Sequence, residues 1–468
     1  MAVFSIIKLS ELGKAKRIDA EYYKPEYLNI YSKLNASGSK IFLKRLIKEI
    51  VSGSYVDSYF EKGTLYLRVN NITEFGFDLS DIKFVDVDFS KIPDKIKIKT
   101  GELVLGRTGT IGITHLVDER LNGSVISQHI TKIVVDENHI NKYYLVAYLN
   151  SDLARKQMMR ESLGSMQVEL TLDATKNLII FLPSNDLQAR IGKLIQEFYE
   201  LQRSSQILYS QAETFLLEEL GLKDFKPKYK KTYTANLSDA LSAHRIDAEY
   251  FQPAYKEVIK RMDEKNIELK PLMQFILNIQ KGVEPGSDNY QDKGKPFIRV
   301  SNLSINGFID RDQKYLNEEI YQQLKETYEP KPGDFLLTKD ATPGIAYVVK
   351  EHIEGIISSG ILNLKINEDK INKEYLALCI NSIVGKIQIE KDGGGSVIIH
   401  WKPEQVKKLK IPILPFSTQQ KIALFVHQSH EARRKAKELL DIAKRAVEIA
   451  IEKNEKEAID YINTQVGE

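Results

Sequence analysis

Two arginine–asparagine pairs are the side chains best suited to chemistry in this sequence. Arg68 and Asn71 close the apolar run Leu65 to Val69, and Arg299 and Asn302 close the run Phe297 to Val300. Arginine and asparagine can each pair bidentately with a purine edge in the major groove of a duplex. Because both pairs repeat, support of the fold or a grip on phosphate suits them equally. A second group follows Leu103-Val104-Leu105, where Gly106, Gly109 and Gly112 loosen a loop holding Arg107, Thr108 and Thr110. Its counterpart keeps Gly344, with Lys339 and Thr342. A cation beside hydroxyls suits phosphate or base-edge contacts; a tight turn with a solvated Arg107 is the even alternative. On the first reading, Arg107→Ala weakens DNA binding at every target sequence. Discrimination between sequences requires residues that differ between the copies, and Gln128-His129 against Ser359-Gly360 is such a place.

Catalytic constellations are missing from the sequence. There is no Pro-Pro, so the Asn/Asp-Pro-Pro-aromatic tetrapeptide of an amino-methyltransferase cannot occur. Neither a phosphate loop of the Gly-x-x-x-x-Gly-Lys-Ser/Thr type nor a His-Glu-x-x-His zinc motif is found. Glu368-Asp369-Lys370 fits the tail of a nuclease motif only as chance would in a chain 28% charged. No Gly-x-Ser-x-Gly elbow places a nucleophile. The expectation is a protein without catalytic residues, cofactor or metal. The single cysteine, Cys379, rules out an internal disulfide framework and reads as helix packing.

With 42% apolar residues the 468-residue chain has material for two to four globular domains. No apolar run approaches the roughly 18–20 residues of a spanning helix, and Ala2 to Ile7 is too short for a signal sequence. A cytoplasmic protein without membrane contact is expected. The net charge of +3 is low for a free-standing nucleic-acid binder, so any DNA contact must rest on local charge or be shared with other subunits. Lys223 to Lys231 is the densest basic stretch and reads first as a solvated linker.

The elements that must position these residues are written twice, about 230 residues apart. Arg17-Ile18-Asp19-Ala20-Glu21-Tyr22-Tyr23 returns as Arg245-Ile246-Asp247-Ala248-Glu249-Tyr250-Phe251. Tyr66 to Asn71 matches Phe297 to Asn302, Gly101 to Gly112 matches Gly333 to Gly344, and Asn141 to Leu145 matches Asn372 to Leu376. This is a duplicated domain, too long in period for a solenoid. Short strand-like runs broken by glycine and asparagine, then helical runs at 142–161 and 373–391, give an α+β body in each copy. After each Leu-Pro a seam of alternating three- and four-residue steps begins. The first is Ile191, Leu194, Phe198, Leu201, Ser205, Leu208, Ala212 and Phe215; the second runs from Ile422 to Ala450 and is rich in alanine. Such seams predict two long helices pairing antiparallel as a coiled coil, with the first on the order of 50 Å long. The organisation is then 1–183 lead segment and first recognition domain, 184–222 central spacer helix and 223–244 basic linker. The lead segment and second domain follow at 245–415, and a C-terminal spacer helix at 416–468.

These residues resemble the specificity subunit of type I restriction-modification systems over essentially the whole chain. Four features bear the likeness, in order and nearly twice over. They are the Arg-Ile-Asp-Ala-Glu-Tyr-Tyr/Phe-x-Pro-x-Tyr segments at 17–27 and 245–255, and the glycine-bounded motifs at 101–112 and 333–344. Gly164-Ser165-Met166-Gln167 follows, and then the Leu-Pro-x₃₋₄-Gln openings with Gln188 and Gln419 or Gln420. The second copy departs at Gly393-Gly394-Gly395-Ser396, which lacks the glutamine. The resemblance implies two target-recognition domains related by an internal pseudo-two-fold, joined by the helices. It adds Gln167 and Ser396 to the candidate DNA contacts. Its implied partners are double-stranded DNA, two modification (methyltransferase) subunits and restriction subunits. The implied role is to read an asymmetric bipartite target and direct methylation or cleavage by those partners. A methylation-only or type II-like assembly is the alternative within the class, and a coiled-coil scaffold without DNA contact is the alternative outside it.

Overall fold

The computed structural model describes residues 5–10, 12, 17–36, 38–85, 93–164, 168–310, 312–393 and 400–467. The chain gathers into two compact units: Met1–Arg203 with Arg433–Glu468, and Ser204–Ala432.

In the first unit, strands Ile47–Ser52, Ile130–Val135, Leu103–Gly106 and Thr114–Leu116 form an antiparallel sheet in that spatial order. Side chains alternate across a strand, so the run Leu103-Val104-Leu105 feeds two cores. Leu103 and Leu105 face a cluster with Tyr144, Leu145 and Leu187, while Val104 joins Leu67, Ile126 and Ile130. A smaller sheet pairs Thr64–Leu67 antiparallel with Lys83–Val85 and parallel with Val125–Ile126. The second unit repeats both sheets: Ile276–Lys281, Ile361–Ile366, Phe335–Thr338 and Ala346–Val348, then Lys295–Ile298 between Lys314–Leu316 and Ile356–Ile357. Among the described residues it alone has an α-helix between the second and third strands, in chain order, of the smaller sheet: Glu318–Tyr328, capped by Asn317.

The helical run expected over 142–161 is two helices, Lys142–Asn150 and Asp152–Glu161. Ser151 makes the break, its Oγ accepting from the Ala154 N–H. Ser382 divides the second run in the same way, into Lys373–Asn381 and Ile383–Gly393. A serine hydroxyl satisfies an amide that continued helix would otherwise have bonded, which favours a restart.

Two long helices follow the Leu-Pro steps: α1, Asn185–Glu219, and α2, Phe416–Glu452. Gln188 ties the start of α1 inward, its Oε1 accepting from the Asn141 N–H at 3.1 Å and its Nε2 donating to the Pro183 carbonyl. Gln419, rather than Gln420, does the same at α2, with the Asn372 N–H and the Leu414 carbonyl. In the first unit, Leu187, Ile191, Leu194 and Phe198 of α1 share a core with Ala436, Ala443, Ala446 and Ala450 of α2. Ser184, just before α1, bonds Glu455 just beyond α2, while Gln202 and Arg433 both meet Phe75, so the two run antiparallel here. In the second unit Ala212 and Leu216 meet Ile422 and Val426, and the Ser429 hydroxyl donates to the Ser205 carbonyl at 2.7 Å. Every residue of the first expected seam is buried or half-buried. A separate helix, Glu455–Val466, follows α2, with Asn454 capping it.

One buried pair is reversed between the units. His115, in the middle of Thr114–Leu116, faces Tyr199 of α1, whose hydroxyl accepts from the Leu116 N–H. Tyr347, in the middle of Ala346–Val348, faces His430 of α2 with rings 5.8 Å apart. Burial pushes the His115 imidazole down to about 4. Cys379 is buried within its helix, and burial pushes its thiol up to about 12.

Candidate nucleic-acid interface

Four segments of the first unit are gathered at one end of its larger sheet by hydrogen bonds. Strand Ile47–Ser52 runs into the loop 53–60, and the Ser54 N–H donates to the Ile126 carbonyl at 3.0 Å. The Ser52 hydroxyl donates to the Gln128 carbonyl, which brings in the turn at 127–130. The Arg107 N–H donates to the His129 carbonyl, and the Leu170 N–H to the Arg107 carbonyl. Leu163 and Glu169 exchange backbone hydrogen bonds, which sets these two residues side by side.

Arg107 is the clasp of this assembly. Only 9% exposed, it donates from Nε to the Leu170 carbonyl, from Nη1 to Ser52 Oγ at 2.7 Å, and pairs through Nη2 with Glu169 at 2.7 Å. A guanidinium so committed is not a solvated turn residue. Thr108 is buried beside it and bridges to Glu169. Thr110 is half-buried, and its Oγ1 has no hydrogen-bond partner among the described residues. Gly106 must be glycine, since a Cβ would lie 2.6 Å from the Thr110 carbonyl oxygen.

Arg68 pairs with Asp81, bonding both its carboxylate and its carbonyl at 2.6 Å, and lies over the Tyr59 ring. Asn71 is 3% exposed: its Oδ1 accepts from the Arg68 N–H and its Nδ2 donates to the Asp78 carbonyl. Arg299, Asp312, Asn302 and Ile309 reproduce that arrangement in the second unit. Both asparagines thus lie inside a turn, with both ends of the amide bonded within the fold. Gln128 and His129 are half-buried on the outer turn and bond each other at 3.1 Å.

The second unit builds the equivalent end from other atoms. The Lys339 ammonium pairs with neighbouring Asp340 at 2.5 Å, and Asp340 bonds His400 at 2.8 Å. The Trp401 N–H donates to the Lys339 carbonyl, and its indole is buried. Ser359 is half-buried, its N–H spent on the Val283 carbonyl, and Thr342 is exposed. Gln167 and Ser396 lie outside the described residues.

The lead segments brace both ends. Arg17 pairs with Asp19 at 2.6 Å, stacks on Tyr22 and donates to the Arg160 and Ser162 carbonyls. Arg245 pairs with Asp247, stacks on Tyr250 and donates to the Asp392 carbonyl. The Arg-x-Asp-x-x-Tyr spacing is therefore a latch on the helix that precedes each 163–170 or 393–401 segment. Sequence reasoning did not find Glu169, Asp340 or His400 as clasp partners. It also passed over Tyr55, Tyr59 and Phe60, three exposed aromatics on the loop 53–60; their crowding within six residues was the available signal. Among the described residues no His, Cys, Asp and Glu group is placed to hold a metal, and no helix is long and apolar enough to cross a membrane.

The putative type I restriction enzyme MjaX specificity subunit of Methanocaldococcus jannaschii is similar to this chain, 21% identical over 86% of it and 90% of the relative. Solved structures with a likeness include the type I S subunit from M. genitalium, 13% identical over 89% of this chain and 96% of that one, with a TM-score of 0.40. The HsdS subunit from Thermoanaerobacter tengcongensis is 15% identical over 89% and 96%, with a TM-score of 0.29. The family model described as the type I restriction modification DNA specificity domain matches twice, at residues 20–209 and 268–442. Those two matches span well over half of the sequence and fall one in each duplicated copy, so the chain belongs to the type I restriction-modification DNA specificity family.

Proposed function

We propose that this specificity subunit reads a bipartite, asymmetric DNA target, one half-site by each repeat, and directs methylation and cleavage by partner subunits. The observation behind this reading is the pair of equivalent sheet ends. They share a frame of identical turns and differ in the side chains that frame presents. Gln128 and His129 stand where the second copy has Ser359 and Gly360, and Arg107–Glu169 stands where it has Lys339–Asp340–His400. Side chains that contact base edges carry sequence information, whereas shared ones position the protein. The subunit itself is non-catalytic, so chemistry belongs to the methyltransferase and restriction partners. Gln128, His129, Ser359 and Thr342 are the favoured base or phosphate contacts. Arg107, Asn71 and Asn302 act as support, and Arg68 and Arg299 sit at the rim with their Asp partners.

The deciding experiment is a single-molecule methylome of a host with and without this gene. Loss of N6-methyladenine at one split, non-palindromic motif with a fixed gap is the expected result. A palindromic motif would contradict the asymmetry, and an unchanged methylome would contradict the function.

A further inference from the structure

We propose that the loop Gly53 to Phe60 is a base-contacting element of the first unit, using the rings of Tyr55, Tyr59 and Phe60 on duplex DNA. The proposal deepens the functional reading above and rests on it.

The loop is pinned at both ends. The Ser54 N–H donates to Ile126, the Tyr66 hydroxyl donates to the Ser54 carbonyl at 2.7 Å, and the Phe60 N–H donates to the Phe84 carbonyl at 2.9 Å. Val56 turns inward and packs on the cluster of Tyr66, Val85, Ile96 and Val125. With its backbone anchored and its one aliphatic side chain half-buried, the loop still holds Tyr55, Tyr59 and Phe60 at 67%, 49% and 48% exposure. Three large rings kept in water on an anchored segment mark a surface that something covers.

The chemistry around them favours DNA as the cover. Ser52, where the loop begins, donates to the carbonyl of Gln128 and accepts from Arg107, so the rings arise beside the outer turn Gln128–His129. The Arg68 guanidinium lies 5.8 Å from the centre of the Tyr59 ring. Asp57 and Glu61 are exposed on the same stretch, which disfavours a phosphate clamp. A groove-facing role suits this mixture, because carboxylates accept from cytosine amino groups and rings meet thymine methyls or wedge between base steps.

The second unit keeps one ring of the three. Tyr290 stands where the first unit has Tyr59 and packs against Phe297 with rings 5.3 Å apart, as Tyr59 packs against Tyr66 at 6.0 Å. Its hydroxyl donates to Glu284 at 2.8 Å, and the stretch from Gly282 to Gln291 holds no other aromatic residue. Gln291 takes the place of Phe60, each making the equivalent bridge to the neighbouring strand. The rings of Tyr55 and Phe60 are therefore peculiar to the first unit, and their contribution falls on one half-site only.

The test uses the full chain with its methyltransferase in the host, read by methylome. In the triple variant Tyr55→Ser, Tyr59→Ser and Phe60→Ser, methylation of the full motif should fall at least tenfold, or base requirements should relax within one half-site only. The other half-site, still read, serves as the internal control for folding. Tyr55→Phe with Tyr59→Phe should keep the wild-type motif and rate. Unchanged methylation in the triple variant overturns the proposal, and so does equal loss in the ring-preserving variant. If the wild-type chain yields no split motif, the functional reading fails and this proposal falls with it.

Discussion

The two units solve one backbone problem identically and one side-chain problem differently. Asn71 and Asn302 fill the same turn, Gln188 and Gln419 close the same helix start, and Arg17 and Arg245 make the same latch. Each satisfies backbone groups removed from water, where few substitutes have the right donors and acceptors. The clasp and the His–Tyr pair depend in addition on contacts between side chains brought from different segments, and several pairings suffice. Arg107 reaches Glu169 across the segment, whereas Lys339 leans on neighbouring Asp340 and leaves His400 to close the contact. The histidine sits on the strand in one unit and on the long helix in the other. Invariance between the copies thus marks backbone satisfaction, and divergence marks either freedom or recognition.

The sharpest way to break the comparison is to end the chain after Ala432. The first unit then loses Ala436, Ala443, Ala446, Ala450 and Ile462 from its core, whereas the second unit is contiguous. Hydrogen exchange by mass spectrometry should show residues 17–203 unprotected and 253–432 protected; protection of both would refute the division. Arg107→Ala comes next. It strips partners from the Leu170 carbonyl and Ser52 and should cost about 2–3 kcal/mol, visible in a denaturant titration as earlier opening of the first unit. A variant that weakens DNA binding with undiminished stability would favour the phosphate reading of Arg107.

Acid should separate the units further. The unfolded chain protonates its histidines near the ordinary value of 6.5, but folded His115 resists until about 4. The unfolded state therefore binds more protons in that window, and stability falls as pH drops through it. The loss should be about 2 kcal/mol by pH 5. His115→Tyr, which copies the strand residue of the second unit, should flatten that dependence; an unaltered slope between pH 7 and 5 would assign it elsewhere. Lys339→Ala should show the smallest effect, about 1 kcal/mol, because Asp340 keeps His400. A loss as large as that of Arg107→Ala would mean the two clasps are equivalent after all.

Much of this was legible in the sequence. The repeat gave the number of bodies, and the three-four spacing gave both long helices, because periodicity follows directly from helix geometry. Ser151 and Ser382 escaped, since a serine stops a helix only when its hydroxyl finds the next amide, which composition does not reveal. Arg107 looked solvent-facing because its partner Glu169 lies far along the chain and is brought close only by the backbone bonds of Leu163 and Leu170. Asn71 and Asn302 suited a base edge by residue type; their burial, at 3% and 1% exposure, comes from a turn whose closure depends on residues seven further on. Nothing local records such closures.

The division of the two long helices has a consequence for the order in which the protein is made. Residues 204–432 are consecutive, so the second repeat can close as soon as it leaves the ribosome. The first repeat, though synthesised earlier, waits for Ala436 to Ile462 before Leu187, Ile191 and Phe198 are covered. At about 5–20 residues per second that delay is roughly 10–50 s. For that interval the older half of the nascent chain exposes an unfinished apolar face, and the younger half, complete at Ala432, is the first of the two to have its whole sequence.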